Sequence, residues 1–448
     1  MKKGSVRVKA QDSLPAVFLA LCIVLGGASA AGAMANGVLQ LVAIVVLGYV
    51  GIARPVPWVP ASRALVVGLA AFGAWLLLQS LPLPPVFWTR LPGRAIVVSG
   101  FATSGSAPGW EPLSLAPDAT VATLLALLPP SAMAVLTLAA TDRARRIAIG
   151  TLVTLAIGAA LLGVVQVLAG PGSAFYPYDL TNPGKAVGPF ANRNHLATLL
   201  LCAIAVLGTS VQHNGPRRSA AALSGVAVLA GGVIMTGSDA GLLMLAVLLT
   251  FLVTRVSTGH SAREATLSLL VAAVLLASVA GIASLWQGSS NTGAGAEQRR
   301  GVTIPRTFAA AIDHLPFGAG GGSFPTIYPA YTDPALASPA FVNHAHCDYA
   351  EMLLDHGVVG LLLIGAAWGW WGLRVRTGWT TDPVVRAALV MVAICLIHSL
   401  VDYPLRTATL ATVAAFAAAL ATGQPPAVAE KHRRSRASRQ LSATFDLS

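Results

Sequence analysis

The sequence predicts an all-α integral membrane protein of about twelve transmembrane helices, with one large outer loop between the ninth and the tenth. Three observations predict it. Only 10% of the residues are charged and 55% are hydrophobic, whereas a soluble domain carries about 25% charged residues. The apolar residues come in runs near the roughly 20-residue length that a helix needs to cross a bilayer. The basic residues gather in short clusters between those runs, as anchoring on the cytoplasmic side requires.

In chain order the expected spans are 14–33, 36–53, 64–82, 119–139, 147–169, 195–212, 219–237, 240–254, 266–286, 357–373, 385–403 and 407–422. The connections at 237–240 and 403–407 are very short turns. An even number of spans puts both termini on one side. With the termini inside, the inner segments collect Lys2, Lys3, Arg7 and Lys9, then Arg54 and Arg63, then Arg143, Arg145 and Arg146. They go on to collect Arg217, Arg218, Arg255, Arg263, Arg374, Arg376 and Arg386, and five more basic residues in the tail. That is most of the 29 Lys and Arg, which supports this orientation. The N-terminal run ending in "ASAAGAMA" reads as an uncleaved first span in preference to a signal peptide. Three outer segments are long. Residues 83–118 are rich in Pro, Gly and Ser, with Trp88 and Trp110 suited to the interface; the others are 170–194 and 287–356. The tail is basic, Ser-rich and expected to be disordered.

The net charge of +12 does not point to nucleic acid, because no Arg/Lys stripe is interleaved with aromatic residues. The bilayer is the expected partner. Cys22, Cys202 and Cys395 fall inside apolar runs, Cys347 lies in a polar segment, and no CxxC pairing is present. A transporter should carry its ionisable residues near the midplane, in broken helices, often within repeats. Here they crowd the outer ends of the spans, and no internal repeat is visible.

The densest chemistry is "NHAHCDYAEMLLDHGVVG", residues 343–360, with three histidines, a cysteine and three acids. Asp348, Tyr349 and the run after them read as a helix approaching the membrane, with Gly357 at its end. His346 precedes that helix, where an imidazole can take a proton from a hydroxyl. His344, two residues earlier, is expected to face elsewhere. His356 lies near a helix end, where the dipole favours a cation. The spacing of His344, His346, Cys347 and Asp348 fits no zinc pattern. The outer arginines Arg193, Arg299, Arg300 and Arg406 point to an anionic ligand, since guanidinium forks bind phosphate; at span ends, Arg193 and Arg406 alternatively snorkel. In "HSLVDYPLR", His398 and Asp402 share a helix face at i, i+4, either as part of a site or as a pair that fixes helix packing. In "GPFANRNHLA", Asn192, Arg193, Asn194 and His195 open a span whose first turn offers backbone N–H groups to a phosphate.

These clusters, in this order, resemble the O-antigen ligase and polymerase-like membrane proteins. The pieces that carry the resemblance are "FANRNHLA", "TGSDAGLL", "PFGAGGGSFPTIYPAY", "HAHCDYAEMLLDHGVVG" and "HSLVDYPLR". The resemblance implies three regions: 1–186 as N-terminal helices with outer loops, 187–406 as the ligase-related domain with its periplasmic loop 287–356, and 407–448 as the last helix and a basic tail. It maps the family's His-to-Gly pattern onto His346, Cys347, Gly357 and Gly360, and its outer-loop Arg onto Arg300, with Arg299 as a rival. Two positions depart from the family: Cys347 replaces a small polar residue, and Asp239 stands where an Arg is often found.

The activity so implied is a metal-independent glycosyl transfer on the periplasmic face of a bacterial inner membrane, with no cofactor. The donor is a glycan on undecaprenyl diphosphate. The acceptor is lipid A–core for a ligase, or a second lipid-linked glycan for a polymerase. His346 is the expected base. Arg300, Arg193, Arg299 and Arg406 are the expected diphosphate ligands, and His398, Asp402, Asn194, His344 and Asp348 are expected to support the site.

Overall fold

A computed structural model describes residues 10–29, 32–53, 56, 59–179, 181–211, 216–256, 300–332, 342–379 and 382–423. The helices are α1 (Ala10–Leu25), α2 (Ala33–Ala53), α3 (Pro60–Ser80), α4 (Pro85–Trp88), α5 (Ala95–Ser104), α6 (Pro117–Ala126), α7 (Leu128–Leu138) and α8 (Asp142–Ala169). They continue with α9 (Arg193–Ser210), α10 (Pro216–Thr236), α11 (Asp239–Val256), α12 (Arg300–Asp313), α13 (Phe324–Ile327), α14 (Asp348–Gly378), α15 (Pro383–His398) and α16 (Ala408–Ala421). Among the described residues the only sheet is a short antiparallel pair, β1 (Pro82–Leu83) with β2 (Glu111–Pro112).

The protein is an all-α membrane protein. Seven helical segments are long and apolar enough to cross a bilayer: α2, α3, α6 with α7 (Pro117–Leu138), α8, α9, α10 and α14. Five others, α1, α5, α11, α15 and α16, are apolar but shorter. Leu41, Val45, Ile52, Leu168 and Leu362 stand exposed on helix faces, a surface that only an apolar solvent accommodates. Each expected span overlaps a helix, apart from the ninth, 266–286, which lies outside the described residues; seven of the helical segments have the length and apolarity of a span. The tail, 424–448, also lies outside them.

The bundle is built around α9, in which every residue from Asn194 to Ala205 is buried. Small residues let its neighbours close in: a Cβ on Gly232 of α10 would stand 2.9 Å from both Ala160 of α8 and Leu200 of α9. At one end of the bundle arginines close helix C-termini. Arg145 donates to the carbonyls of Thr137 and Leu138, and Arg374 to those of Ala421 and Thr422. These last-turn carbonyls have no partner within their own helix, and a cation also suits the dipole there.

Four expectations need correction at the other end. The first span does not run to residue 33. α1 stops at Leu25, because Gly26 and Gly27 pack against Ala408–Thr409 and Pro189–Phe190 too closely for any Cβ. The eleventh does not run to residue 403. α15 ends at His398 and turns follow, although the Asp402 N–H still reaches the His398 carbonyl at 3.0 Å. Trp88 is not an interface residue: it is 1% exposed and donates to the Gly109 carbonyl, while Trp110 is 66% exposed.

Gly357 does not end its helix but breaks it. The backbone there takes φ 57° and ψ −135°, and the helix resumes to Gly378. The break strips Leu354, Asp355 and Val358 of their helical partners. The segment 314–322 supplies replacements: Ala319 N–H donates to Leu354 O, Gly320 N–H to Asp355 O, and Val358 N–H to Pro316 O. Buried peptide groups demand such partners. Gln79 of α3 clamps the same junction, donating to Asp355 O at 2.8 Å and accepting from Gly321 N–H at 3.1 Å. The Gly-rich run thus lies against the opened turn of α14.

Gly357→Ala places a Cβ into the Pro316 carbonyl and adds about 1–3 kcal/mol for a non-glycine residue in a sparsely populated backbone region. The expected outcome is a lower melting temperature in detergent, with increased protease sensitivity near 314–322. An unchanged melting curve would show that the break bears no packing load.

Candidate active site

The site forms where the C-terminal ends of α1 and α15 meet the N-terminal ends of α9, α14 and α16. Its charged centre is Arg406, in the turn Pro404–Arg406. The first two turns of α14 carry Asp348, Glu351 and Asp355, whose i, i+3, i+7 spacing sets them on one helix face. Arg406 meets all three. Nε lies 3.2 Å from Asp348, Nη1 3.0 Å from Asp355 and Nη2 3.6 Å from Glu351. Each carboxylate also holds another piece of chain. Asp348 accepts from Ser399 Oγ at 2.8 Å, Asp355 from the N–H and Oγ of Ser323 at 3.1 Å each, and Glu351 from Ala345 N–H at 2.7 Å. Burial would exact several kcal/mol from an unpaired charge here, and pairing with hydrogen bonds offsets it.

Glu351 also accepts from His344 Nδ1 at 3.1 Å, while His344 Nε2 faces Ser29 Oγ at 3.3 Å. Both ring nitrogens of His344 are therefore engaged. His346 is set differently. Its φ of 56° makes it the only non-glycine residue with positive φ among those described, a conformation that costs on the order of 1–3 kcal/mol and is found at functional sites. Its Nδ1 lies 3.1 Å from the His344 carbonyl. A carbonyl only accepts, so Nδ1 carries the hydrogen, and the neutral ring presents its lone pair at Nε2. Burial pushes the His346 pKa below the ordinary histidine value and Arg300 adds to this, while the charge of Asp402 acts the other way. Tyr403 is the shared wall: its ring meets His344 at 4.2 Å, His195 at 5.0 Å and His346 at 5.1 Å.

His398 and Asp402 do not form a hydrogen-bonded pair. His398 Nδ1 engages Thr198 Oγ1 at 2.6 Å, and Asp402 Oδ1 accepts from Tyr403 N–H at 3.0 Å. The first turn of α9 is also not an open perch for phosphate. Its N–H groups are already used: Arg193 N–H by Asn182 Oδ1, Asn194 N–H by Asn192 Oδ1, and His195 N–H by the Asn192 carbonyl. Asn192 is the helix cap and takes two of these donors, and Asn182 takes the third. Asn194 itself is buried, and its carbonyl accepts from Thr198.

What remains for an anion is side-chain charge. Arg193 Nη1 and Lys185 Nζ both lie within 3.5 Å of the point where a Cβ on Gly237 would stand, beside the α10–α11 turn. Arg300 opens α12, and its charge bears on His346 and Asp402. Among the described residues, none of these three cations forms an ion pair. Arg406 is the opposite case. It was expected beside Arg300 and Arg193 as an anion ligand, and the structure surrounds it with carboxylates. Arg299 lies outside the described residues. No three His, Cys, Asp or Glu among the described residues group as metal ligands. The free thiols Cys22, Cys202, Cys347 and Cys395 are all buried.

Residues 224–365 match the family model described as O-Antigen ligase. The chain carries an O-antigen ligase-like domain. The match supports activity of the glycosyltransferase type in polysaccharide biosynthesis. No curated protein shows a significant match to the chain. The matched segment of this ligase-like protein includes Arg300, His344, His346 and the three acids of α14. His195, His398, Asp402, Tyr403 and Arg406 lie outside it, yet they meet it in space. Sequence reasoning missed Glu351, Asp355, Lys185, His195 and Tyr403 as site residues. The 348/351/355 spacing was a usable signal for the two acids; Lys185 in "NPGKAVG" offered none.

Arg406→Ala leaves three buried carboxylates without their cation. Breaking a buried pair costs about 3–5 kcal/mol, so the variant is expected not to accumulate in membranes, with Arg406→Lys partly restoring it. Wild-type levels and melting of Arg406→Ala, measured by quantitative blot and fluorescence-detected chromatography, would show that the cluster is not a structural centre.

Proposed function

We propose that this protein transfers a glycan from undecaprenyl diphosphate to an acceptor hydroxyl at the periplasmic face of the inner membrane. We assign it twelve spans, cytoplasmic termini and lipid A–core as the acceptor. The observation that carries the reading is the contrast among its cations. Arg406 is neutralised by three acids, whereas Arg300, Arg193 and Lys185 have no ion-pair partner among the described residues, and Arg300 bears on a histidine whose Nε2 has no hydrogen-bond partner among them. Ionisable groups at helix ends rather than mid-helix favour this reading over transport.

In the proposed reaction the acceptor hydroxyl donates to His346 Nε2. The acceptor oxygen bonds to the anomeric carbon as the carbon–oxygen bond to the diphosphate breaks. The bonding electrons leave on the diphosphate, and the proton moves to Nε2. Arg300, Arg193 and Lys185 offset the charge developing on the leaving group; Arg299 remains a candidate for the same role. The Asp402 carboxylate stabilises the imidazolium. His344 and Asp348 hold the 343–348 stretch, and Asn194 and His398 hold the facing helices. The reading requires neither a metal nor a cofactor, because fixed cations supply the electrostatic stabilisation.

The test is the glycan profile of a deletion strain complemented with wild type or His346→Ala, with lipid A-linked and undecaprenyl-linked material separated. The expected result is long polymer stranded on undecaprenyl with bare core in the variant strain. Single repeats on the core would indicate polymerase in place of ligase, and unchanged glycans in every strain would overturn the reading. In a purified assay His346→Ala should lower the rate by about 10²–10⁴-fold, the usual worth of a general base.

The pH dependence follows from the same base. His346 works only when neutral, and burial lowers its pKa. The rate should therefore hold as pH falls and drop only below the ordinary histidine value of 6.5. An acid limb above that value, in a pH–rate profile, would remove His346 from the role. For Lys185→Ala and Arg193→Ala the expected change is a raised donor KM, additive to within a few tenths of a kcal/mol only if the two do not share a phosphate.

A further inference from the structure

Behind His346 lies a group of polar atoms that the proposed reaction does not use. Both ring nitrogens of His195, Nε2 of His398 and Oδ2 of Asp402 are buried and have no hydrogen-bond partner among the described residues. His195 is 2% exposed, and His398 and Asp402 are 0% exposed. His195 and Thr198 are three residues apart and share a face of α9. Thr198 is bonded to His398, and the Asp402 N–H is bonded to the His398 carbonyl, so the three residues face one another across the α9–α15 contact. Their charges act on each other and on His346 and His344. Tyr403 closes one side of His195 edge-on at 5.0 Å, and Phe190 the other at 6.2 Å.

A buried polar atom without a partner costs about 1–3 kcal/mol, and four occur together here. No side chain among the described residues satisfies them. Their enclosure suits a ligand of one or a few small molecules that both donate and accept. Water meets that description, since a buried water typically makes two to four hydrogen bonds to such groups.

We propose that His195, His398 and Asp402 enclose ordered water, and that this water links His346 to His195 as a proton relay. The proposal rests on His346 as the base. After transfer, His346 carries a proton on Nε2 and must lose it before the next turnover. Nδ1 stays committed to the His344 carbonyl, so the proton leaves from Nε2. It passes to the enclosed water as that water gives a proton to His195, and His195 holds it beside the Asp402 carboxylate until the products leave, when it returns through the same water and Nε2 to bulk solvent. No bond other than N–H and O–H is made or broken, and no redox partner is involved. His195 is in this sense a positioning and relay residue that does not touch the substrate.

Two measurements on the full chain in lipid nanodiscs test this. A cryo-electron microscopy map fine enough to show water should place at least one molecule within hydrogen-bond reach of His195, His398 Nε2 and Asp402 Oδ2. A dry space, or direct bonds among the three side chains, would overturn the proposal. In parallel, transfer is assayed with an undecaprenyl-diphosphate-linked oligosaccharide and lipid A–core. His195→Gln keeps a hydrogen-bonding side chain but cannot carry the proton. It should lower kcat by about tenfold or more, leave the donor KM unchanged and raise the solvent deuterium isotope effect. Unchanged kcat and isotope effect in a folded His195→Gln would overturn the relay. Retained activity in His346→Ala would instead remove the base on which the relay depends, and the map would still decide the water.

Discussion

The arrangement depends on one guanidinium among three carboxylates. Arg406 connects pieces of chain that no secondary structure joins. Through Asp348 it fixes the α15–α16 turn, through Asp355 the Gly-rich segment, and through Glu351 the loop that carries His344 and His346. The left-handed backbone at His346 is tolerable because the chain is held before and after it: Ala345 by its N–H to Glu351 of this cluster, and Asp348 by its N–H to Ser399 O and Asp402 O. Strain of that kind persists only where the surroundings over-determine it.

Two charge regimes therefore lie side by side. In one, every charge has a partner and the interactions hold the fold. In the other, Arg300, Arg193 and Lys185 have no ion-pair partner among the described residues, and Arg300 bears on His346 and Asp402. Adjacent to the His346 side is a third regime, in which buried polar atoms have no partner among the described residues. The contrast is spatial and not compositional: arginines of both kinds are drawn from the same short list of outer residues, and the polypeptide separates them only by where the acids of α14 point.

Much of the fold was legible in the sequence, because apolar length and polar punctuation are local properties. The Pro, Gly and charged residues that bound the spans lie within a few residues of the observed helix ends. The errors fall where tertiary packing overrides that signal. α1 ends early because two glycines must approach α16 and residues 189–190, and α14 continues past Gly357 because a distant segment satisfies its broken turn. The site was legible as a set of motifs but not as a set of pairings. His346 was found from its polar neighbourhood. The fate of Arg406 was not, since 51 residues separate it from Asp355 and nothing near it in sequence marks those partners. His195 was visible only as part of a helix opening, because the absence of a hydrogen bond is not a sequence feature.

The span between Asp355 and Arg406 has a bearing on how the molecule is made. Chains elongate at about 5–20 residues per second, N-terminus first, so the acids of α14 are synthesised seconds before the arginine that neutralises them. During that interval three carboxylates sit on a helix whose continuation is apolar, and the energetic penalty of burying them keeps that end of α14 in contact with water. The same holds for Ser29 and Cys22, whose partners His344 and Thr409 are separated from them by 315 and 387 residues. Closure of the site therefore waits for residues 406 and 409 to be made. A chain that ends before residue 406 carries three acids on one helix face without the cation that neutralises them.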